Sequence, residues 1–345
     1  MSSYTQPAEA DAAVEGSAPR ATRAGGLGRN ILRRLLWAIP VMLAIIVFNF
    51  VLTRLAPGDP LLMILGDFPV PPEYAARVRA ELGLDQPMAV QLLRYLQHVL
   101  QGDLGYSFAN REPILPLILA RAANTLALMV PGLFFASLLG MVFARLSLLL
   151  RGKRALDSIV TALSLFGFSV PVFWFGQILI LLFAVELGWL PAQGMFSVRT
   201  RLSPGMDFLS HWALPGLVVT IYYAAIVARV AQASIKEAVS SDFVLTAMAK
   251  GATERRVFWH HVFPNALIPI ASVIGHNFGL ALTGAILVET VFAWPGVGSL
   301  FMQSVVSRDY PTMQGVFILA GAAVVLSNIL TDALYTLIDP RVRHS

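Results

Sequence analysis

Apolar residues gather into six long runs, at Ile31–Thr53, Asn124–Ser147, Ser158–Leu187, His211–Gln232, Ala266–Val291 and Thr312–Leu337. Each is long enough to cross a bilayer, which takes about 20 residues of helix, so the pattern predicts six transmembrane helices. The third run is too long for one straight span, and Pro171 within it predicts a kink or a break. Residues 54–120, between the first and second runs, are nearly charge-balanced and dotted with Pro and Gly. Inside them Val90, Leu93, Leu96 and Leu100 recur at helical spacing, which predicts a small folded cap outside the membrane. Residues 1–30 are rich in Ala, Gly and Ser, lack an apolar core and read as a disordered tail. The first run then serves as an uncleaved signal anchor.

The fourth and fifth runs are separated by a polar loop, 233–265, whose stretch Ser240–Asn265 is basic and stands out in an apolar chain. Ala247 and Gly251 are four apart, so on a helix they share a face that another surface can approach closely. Pro264 closes the stretch where the next apolar helix begins. This pattern predicts a docking element between membrane spans.

Composition agrees: of 345 residues, 57% are hydrophobic and 13% charged, and the mean hydropathy is +0.69. A soluble protein of this size needs more surface charge, so the class is an all-α polytopic membrane protein. The chain has no cysteine, which excludes thiol catalysis, thiolate metal sites and disulfides. The net charge of +5 reflects basic residues spread over short loops rather than a nucleic-acid face. With the N-terminus inside, the inner segments hold Arg20, Arg23, Arg29, Arg33 and Arg34, then Arg145, Arg151, Lys153 and Arg154. Arg229, Lys236, Lys250, Arg255 and Arg256 follow in the polar loop, and Arg341 and Arg343 at the C-terminus. The short outer loops hold Arg199, Arg201 and Arg308. The positive-inside rule therefore places both termini (1–30 and 339–345) and the polar loop in the cytoplasm.

Candidate chemistry is sparse. No G-x-x-x-x-G-K-[ST] sequence occurs, so ATP hydrolysis, if it drives the protein, belongs to another polypeptide. Adjacent His260 and His261 point about 100° apart on a helix and make a poor metal pair. Glu289 is the one acid close to an apolar span; it either lines a pathway or caps a following turn. His276, Asn277 and Asn328 are polar within spans and either line a pathway or tie helices together. Pro171, Phe173 and Trp174 either gate a pathway or kink and pack the third span. Gly296 and Gly298, after Trp294-Pro295, suit a tight turn. Asp59 and Asp103, each beside a Gly, read as turn formers.

Seven stretches in order carry a resemblance: APGDP at Ala56–Pro60, LGLDQP at Leu82–Pro87, GDLGYSF at Gly102–Phe108, SVPVFW at Ser169–Trp174, ILVETVFAWPGVGSL at Ile286–Leu300, RDYP at Arg308–Pro311 and DPRVRH at Asp339–His344. With them the chain resembles the B-type permease subunit of dipeptide, oligopeptide and nickel ABC importers, in the type I importer permease superfamily. The polar loop is similar to that superfamily's coupling motif, with Ala247, Gly251 and Pro264 at matching positions and Phe263 replacing its Leu. Leu245 and Thr246 replace the motif's Glu and first Ala, and His261 replaces an apolar residue. The resemblance implies a type I ABC importer permease fold: residues 31–53 form the first span, 54–120 the extracytoplasmic cap and 121–338 a five-helix core. It implies a short cytoplasmic coupling helix seated in an ATPase subunit, with Thr246, Ala247, Gly251, Phe263 and Pro264 in the contact region and Arg255 and Arg256 facing the partner or the lipid headgroups. It further implies a homologous second permease, two ATPase subunits and an extracytoplasmic binding protein as partners, in a bacterial inner membrane. ATP would be used by the partners, and this chain would bind no cofactor. The cargo it implies is a di- or oligopeptide, with a nickel chelate or glutathione as alternatives. A stand-alone secondary transporter predicts internal repeats and buried charge networks, and neither is evident.

Overall fold

The computed structural model describes residues 25–55, 71–81, 83, 85–107, 109–149, 162, 167, 169–279, 281 and 286–338. The tail 1–24, Ala56–Pro60 with Asp59, Arg151, Lys153, Arg154, most of 158–168 and the C-terminal 339–345 lie outside the described residues.

Helix α1 runs over Gly25–Leu55, so the helix that carries the first span begins before Ile31, inside the segment expected to be a disordered tail. Two helices of the cap follow, α2 (Pro72–Glu81) and α3 (Met88–Leu100). A hairpin of β1 (Tyr106–Ser107) and β2 (Glu112–Pro113) then leads directly into α4 (Ile114–Leu149). Helix α5 (Val172–Leu179) starts behind Pro171, which stands outside the helix, and continues as a wide π-helical stretch to Glu186. The chain thus breaks at Pro171, since the ring has no N–H to donate. Helix α6 (Pro204–Val239) is led in by extended Ser203 with Pro at its first position. It extends past both predicted limits of the fourth span.

Helix α7 (Asp242–Ala249) is short. After it, α8 (Glu254–Val257) runs through a π turn, Phe258–Val262, straight into α9 (Phe263–Gly279). Of the predicted span Ala266–Val291, residues 280 and 282–285 lie outside the described residues; its last part, Ile286–Val291, is helical (α10) and is followed by α11 (Val297–Val306) and α12 (Tyr310–Ile338). Within α10, Glu289 is drawn to α11 and α4 (below), so this face of the segment packs inside the protein. Five helices among the described residues are long and apolar enough to cross a membrane: Arg33–Leu55, Ile114–Leu146, Pro204–Val239, Glu254–Phe278 and Tyr310–Ile329. The described part of the third predicted span is the shorter apolar helix Val172–Glu186.

Helices α4 and α6 form the centre. Gly132, Ala136 and Gly140 recur every four residues on α4, and a Cβ at Gly140 would lie 2.7 Å from Val227 Cβ and 3.0 Å from the Ala224 carbonyl oxygen. At Gly132 it would lie 2.7 Å from Val219 Cγ1. Small residues thereby let the two backbones close on each other, which is how helices gain dispersion contact where lipid removes the hydrophobic drive. Gly140→Leu is expected to destabilise the protein by about 2 kcal/mol through overpacking, read as a lower melting temperature in detergent; an unchanged melting temperature would contradict the close approach.

Around this pair, Leu128, Leu133, Leu214, Val218, Phe292 and Trp294 form one buried cluster. A second, at the other end of α6, joins Ala144, Ile235, Val244, Val257, Phe258 and Ile270. A third packs Ile114, Ile118, Leu300 and Val316 where the hairpin meets the last helix. In the cap, Tyr95 stacks on Phe50 of α1 at 5.6 Å between ring centres, and burial pushes its phenol up to about 12.

Candidate functional site

The polar loop folds as a buttressed helix. Val244 of α7 is buried and Ala247 packs against the same apolar cluster, so this edge of α7 faces its own protein. Asp242, Leu245, Thr246 and Ala249 face outward, with Leu245 65% exposed. The Thr246 hydroxyl donates back to the Asp242 carbonyl at 3.0 Å. The small residue Ala247 therefore seats α7 on the body of the protein, and a larger residue, Leu245, stands at the surface.

Gly251 ends α7. Its φ is +82°, its N–H donates to the Met248 carbonyl at 2.9 Å, and Ala252 N–H donates to Ala247 at 3.2 Å. These are the two bonds of a Schellman cap, which places a left-handed residue one position beyond the helix end. A Cβ on Gly251 would meet nothing within 4 Å, so the glycine serves the backbone and not close packing. Gly251→Ala is expected to cost about 1 kcal/mol, measured as a loss of thermal stability; a neutral result would remove the cap from the argument.

Extended Thr253 then caps α8, its Oγ1 accepting from Arg256 N–H at 3.4 Å. Arg255 and Arg256 are exposed. Pro264 does not open a helix: it lies within the continuous helical run Glu254–Gly279. The π turn before it absorbs the proline, with Phe263 N–H reaching five residues back to Phe258. Asn265 Nδ2 donates to the His261 carbonyl at 2.6 Å. The half-buried Phe263 ring lies 5.3 Å from Trp259 and 6.1 Å from Phe258.

The candidate pathway residues occupy different surroundings. Pro171, Phe173 and Trp174 are exposed at the start of α5, and His276 is exposed on α9. Asn277 is buried, and its Nδ2 has no hydrogen-bond partner among the described residues. Glu289 is fully buried. One carboxylate oxygen accepts from Thr125 Oγ1 at 2.7 Å and the other from Ser299 N–H at 3.0 Å, the third residue of α11. Of the two roles open to it, the geometry is that of a cap on the following helix.

Several polar residues gave no signal in the sequence. Thr125 bridges Glu289 to Val297 N–H. Beside it, Asn124 donates to the Pro295 carbonyl at 2.8 Å and accepts on its own carbonyl from Trp294 Nε1 at 2.8 Å. Asp309 accepts from Ser107 Oγ at 2.5 Å and from Thr312 Oγ1 at 2.8 Å, joining the hairpin to α12. Asp207 Oδ2 accepts from Ser197 N–H at 2.8 Å and pairs with buried His211, fixing the loop before α6. The pairs Thr125–Glu289, Asn124–Pro295 and Ser107–Asp309 join residues 164, 171 and 202 positions apart, and Ser197 lies in a loop, none of which local spacing reveals.

Set against known proteins, residues 132–344 match the family described as binding-protein-dependent transport system inner membrane component, and residues 27–129 match its N-terminal family. The chain belongs to this family of transport permeases. Among curated relatives of the permease, a di/tripeptide transport system permease protein of Pseudomonas aeruginosa is 36% identical over 331 residues, covering 91% of this chain and 98% of the relative. A dipeptide transport system permease protein of Escherichia coli is 36% identical over 334 residues, covering 91% and 98%. Among solved structures, the MetNI methionine ABC transporter in an inward-facing conformation superposes with a TM-score of 0.53 at 18% identity, over 65% of this chain and 96% of that one. The permease therefore has the ABC importer permease fold and is a multi-pass inner membrane protein.

Proposed function

We propose that this permease is the subunit of an ATP-driven importer through which di- or oligopeptides cross the membrane, with α7 as the helix that docks on an ATPase subunit. The observation that carries the docking is the construction of α7: a rigidly capped helix, anchored by Val244 and Ala247 and offering Asp242, Leu245, Thr246 and Ala249 outward. A lever needs such rigidity, because ATPase closure moves the spans only through a well-packed contact. Peptide cargo is favoured by the near full-length identity to di/tripeptide and dipeptide permeases. A second permease, two ATPase subunits and an extracytoplasmic binding protein complete the machine, and ATP is handled by the ATPase subunits. The basic residues at the α7 end, Arg145, Arg229, Lys236, Lys250, Arg255 and Arg256, favour placing that end and both termini in the cytoplasm.

The cysteine-free chain suits a direct test. Leu245→Cys is expected to cross-link to a cysteine introduced into the ATPase groove, and reconstituted complexes are expected to accumulate a radiolabelled dipeptide with ATP. Absence of the cross-link from a complex that takes up peptide would sink the docking role. Uptake of a nickel chelate or glutathione in place of peptide would reassign the cargo.

A further inference from the structure

The apolar cluster behind α7 draws its buried side chains from α6, from α7 itself and from the run α8–α9, whereas α4 contributes Ala144 as its one fully buried member. The next residue on α4, Arg145, makes the directional contact. Its guanidinium carbon stands 3.9 Å over the centre of the Phe258 ring and 5.3 Å from that of Trp259. Phe258 is buried in the cluster, and its ring meets Trp259 edge-on at 5.2 Å. The π turn assembles this platform. Its wider winding brings residues five apart onto one side, so Phe258 and Phe263 lie 6.1 Å apart with Trp259 against both.

A methyl group against an apolar surface resists separation but not sliding, because such contact has no direction. A cation over a ring centre resists both, since its attraction falls away as the charge leaves the ring axis. Arg145 is half-buried, its stem following the apolar surface and its head on the rings.

We propose that Arg145 is a positioning residue for transport: seated on Phe258 and Trp259, it fastens α4 to the segment directly behind the coupling helix, so that movement imposed on α7 is passed to α4. This rests on the docking role of α7. Arg145→Met keeps the apolar stem and removes the charge, Arg145→Gln keeps a polar head, and Arg145→Lys restores a cation.

The measurement uses the complete importer in proteoliposomes, with a radiolabelled dipeptide as cargo and the Leu245→Cys cross-link as the docking control. Arg145→Met and Arg145→Gln are expected to assemble and cross-link like the parent and to hydrolyse ATP. Their dipeptide uptake per ATP hydrolysed is expected to fall about tenfold, as befits loss of a half-buried cation–π contact, and Arg145→Lys to recover most of it. Trp259→Leu, at a half-exposed position where no cavity results, is expected to lower the same ratio by a smaller factor. An unchanged ratio in Arg145→Met with the cross-link intact would overturn the proposal and leave α7 docking standing. If neither arginine variant assembles, an unchanged ratio in Trp259→Leu would overturn it equally. Loss of the cross-link in the parent itself would strike the docking role instead.

Discussion

Glu289→Ala is expected to leave little folded permease in the membrane. The carboxylate fills a space that two glycines keep clear: a Cβ on Gly296 would lie 2.3 Å from its carbon, and one on Gly298 3.0 Å from an oxygen. Removing it deprives the Thr125 hydroxyl and the Ser299 N–H of their acceptor at a fully buried position. Each bond to a charged group contributes roughly 1.5–3 kcal/mol and each stranded donor adds desolvation, so the loss is on the order of 4 kcal/mol. Marginal stabilities of about 5–15 kcal/mol do not absorb that comfortably. Gly296→Ala should fail in the same way, by driving a methyl into the carboxylate. Glu289→Gln, close in shape, should retain part of the fold. Monodisperse yield after detergent extraction is the readout, and parental yield and melting temperature for Glu289→Ala would refute the role.

The second large effect belongs to Asp309→Ala, which should release the cap hairpin from α12. Asp309 is buried and ties Ser107 of β1 to Thr312 at the start of α12, and Asn110 holds Ser107 in turn. Loss of two hydroxyl donors to a carboxylate costs roughly 3 kcal/mol, concentrated at one junction. Limited proteolysis should then cut the segment Gly102–Glu112 in the variant and not in the parent. Asp309→Asn should be cut at an intermediate rate. Equal protection in all three would show that Ile114 and Ile118 against Gly315 hold the junction without the aspartate.

The helices were legible because length and apolarity decide them. The long spans follow the apolar runs, and Pro171 marks a real break in the chain. Hydropathy does not show what α10 packs against. Ile286–Val291 is as apolar as a span, and burial against protein and burial in lipid favour the same side chains. Only Glu289 distinguished them, and its partner Thr125 lies 164 residues earlier. In the polar loop, the spacing of Ala247 and Gly251 predicts a shared close-packed face, but Ala247 alone packs, against this chain's own core, while Gly251 is exposed and ends the helix. Arg145 was legible only as a positive charge near a span end, because the rings beneath it arrive from a π turn that no periodicity announces.

The glycine seam between α4 and α6 restricts how the protein can move. With the Ala224 carbonyl almost touching the site of a side chain at Gly140, and Val227 and Val219 pressed into neighbouring notches, one helix cannot ratchet along the other without forcing a valine over Ala136. The two helices must tilt together, as the two rails of one ladder. Any change between outward and inward access is then confined to surfaces where the pair meets other elements.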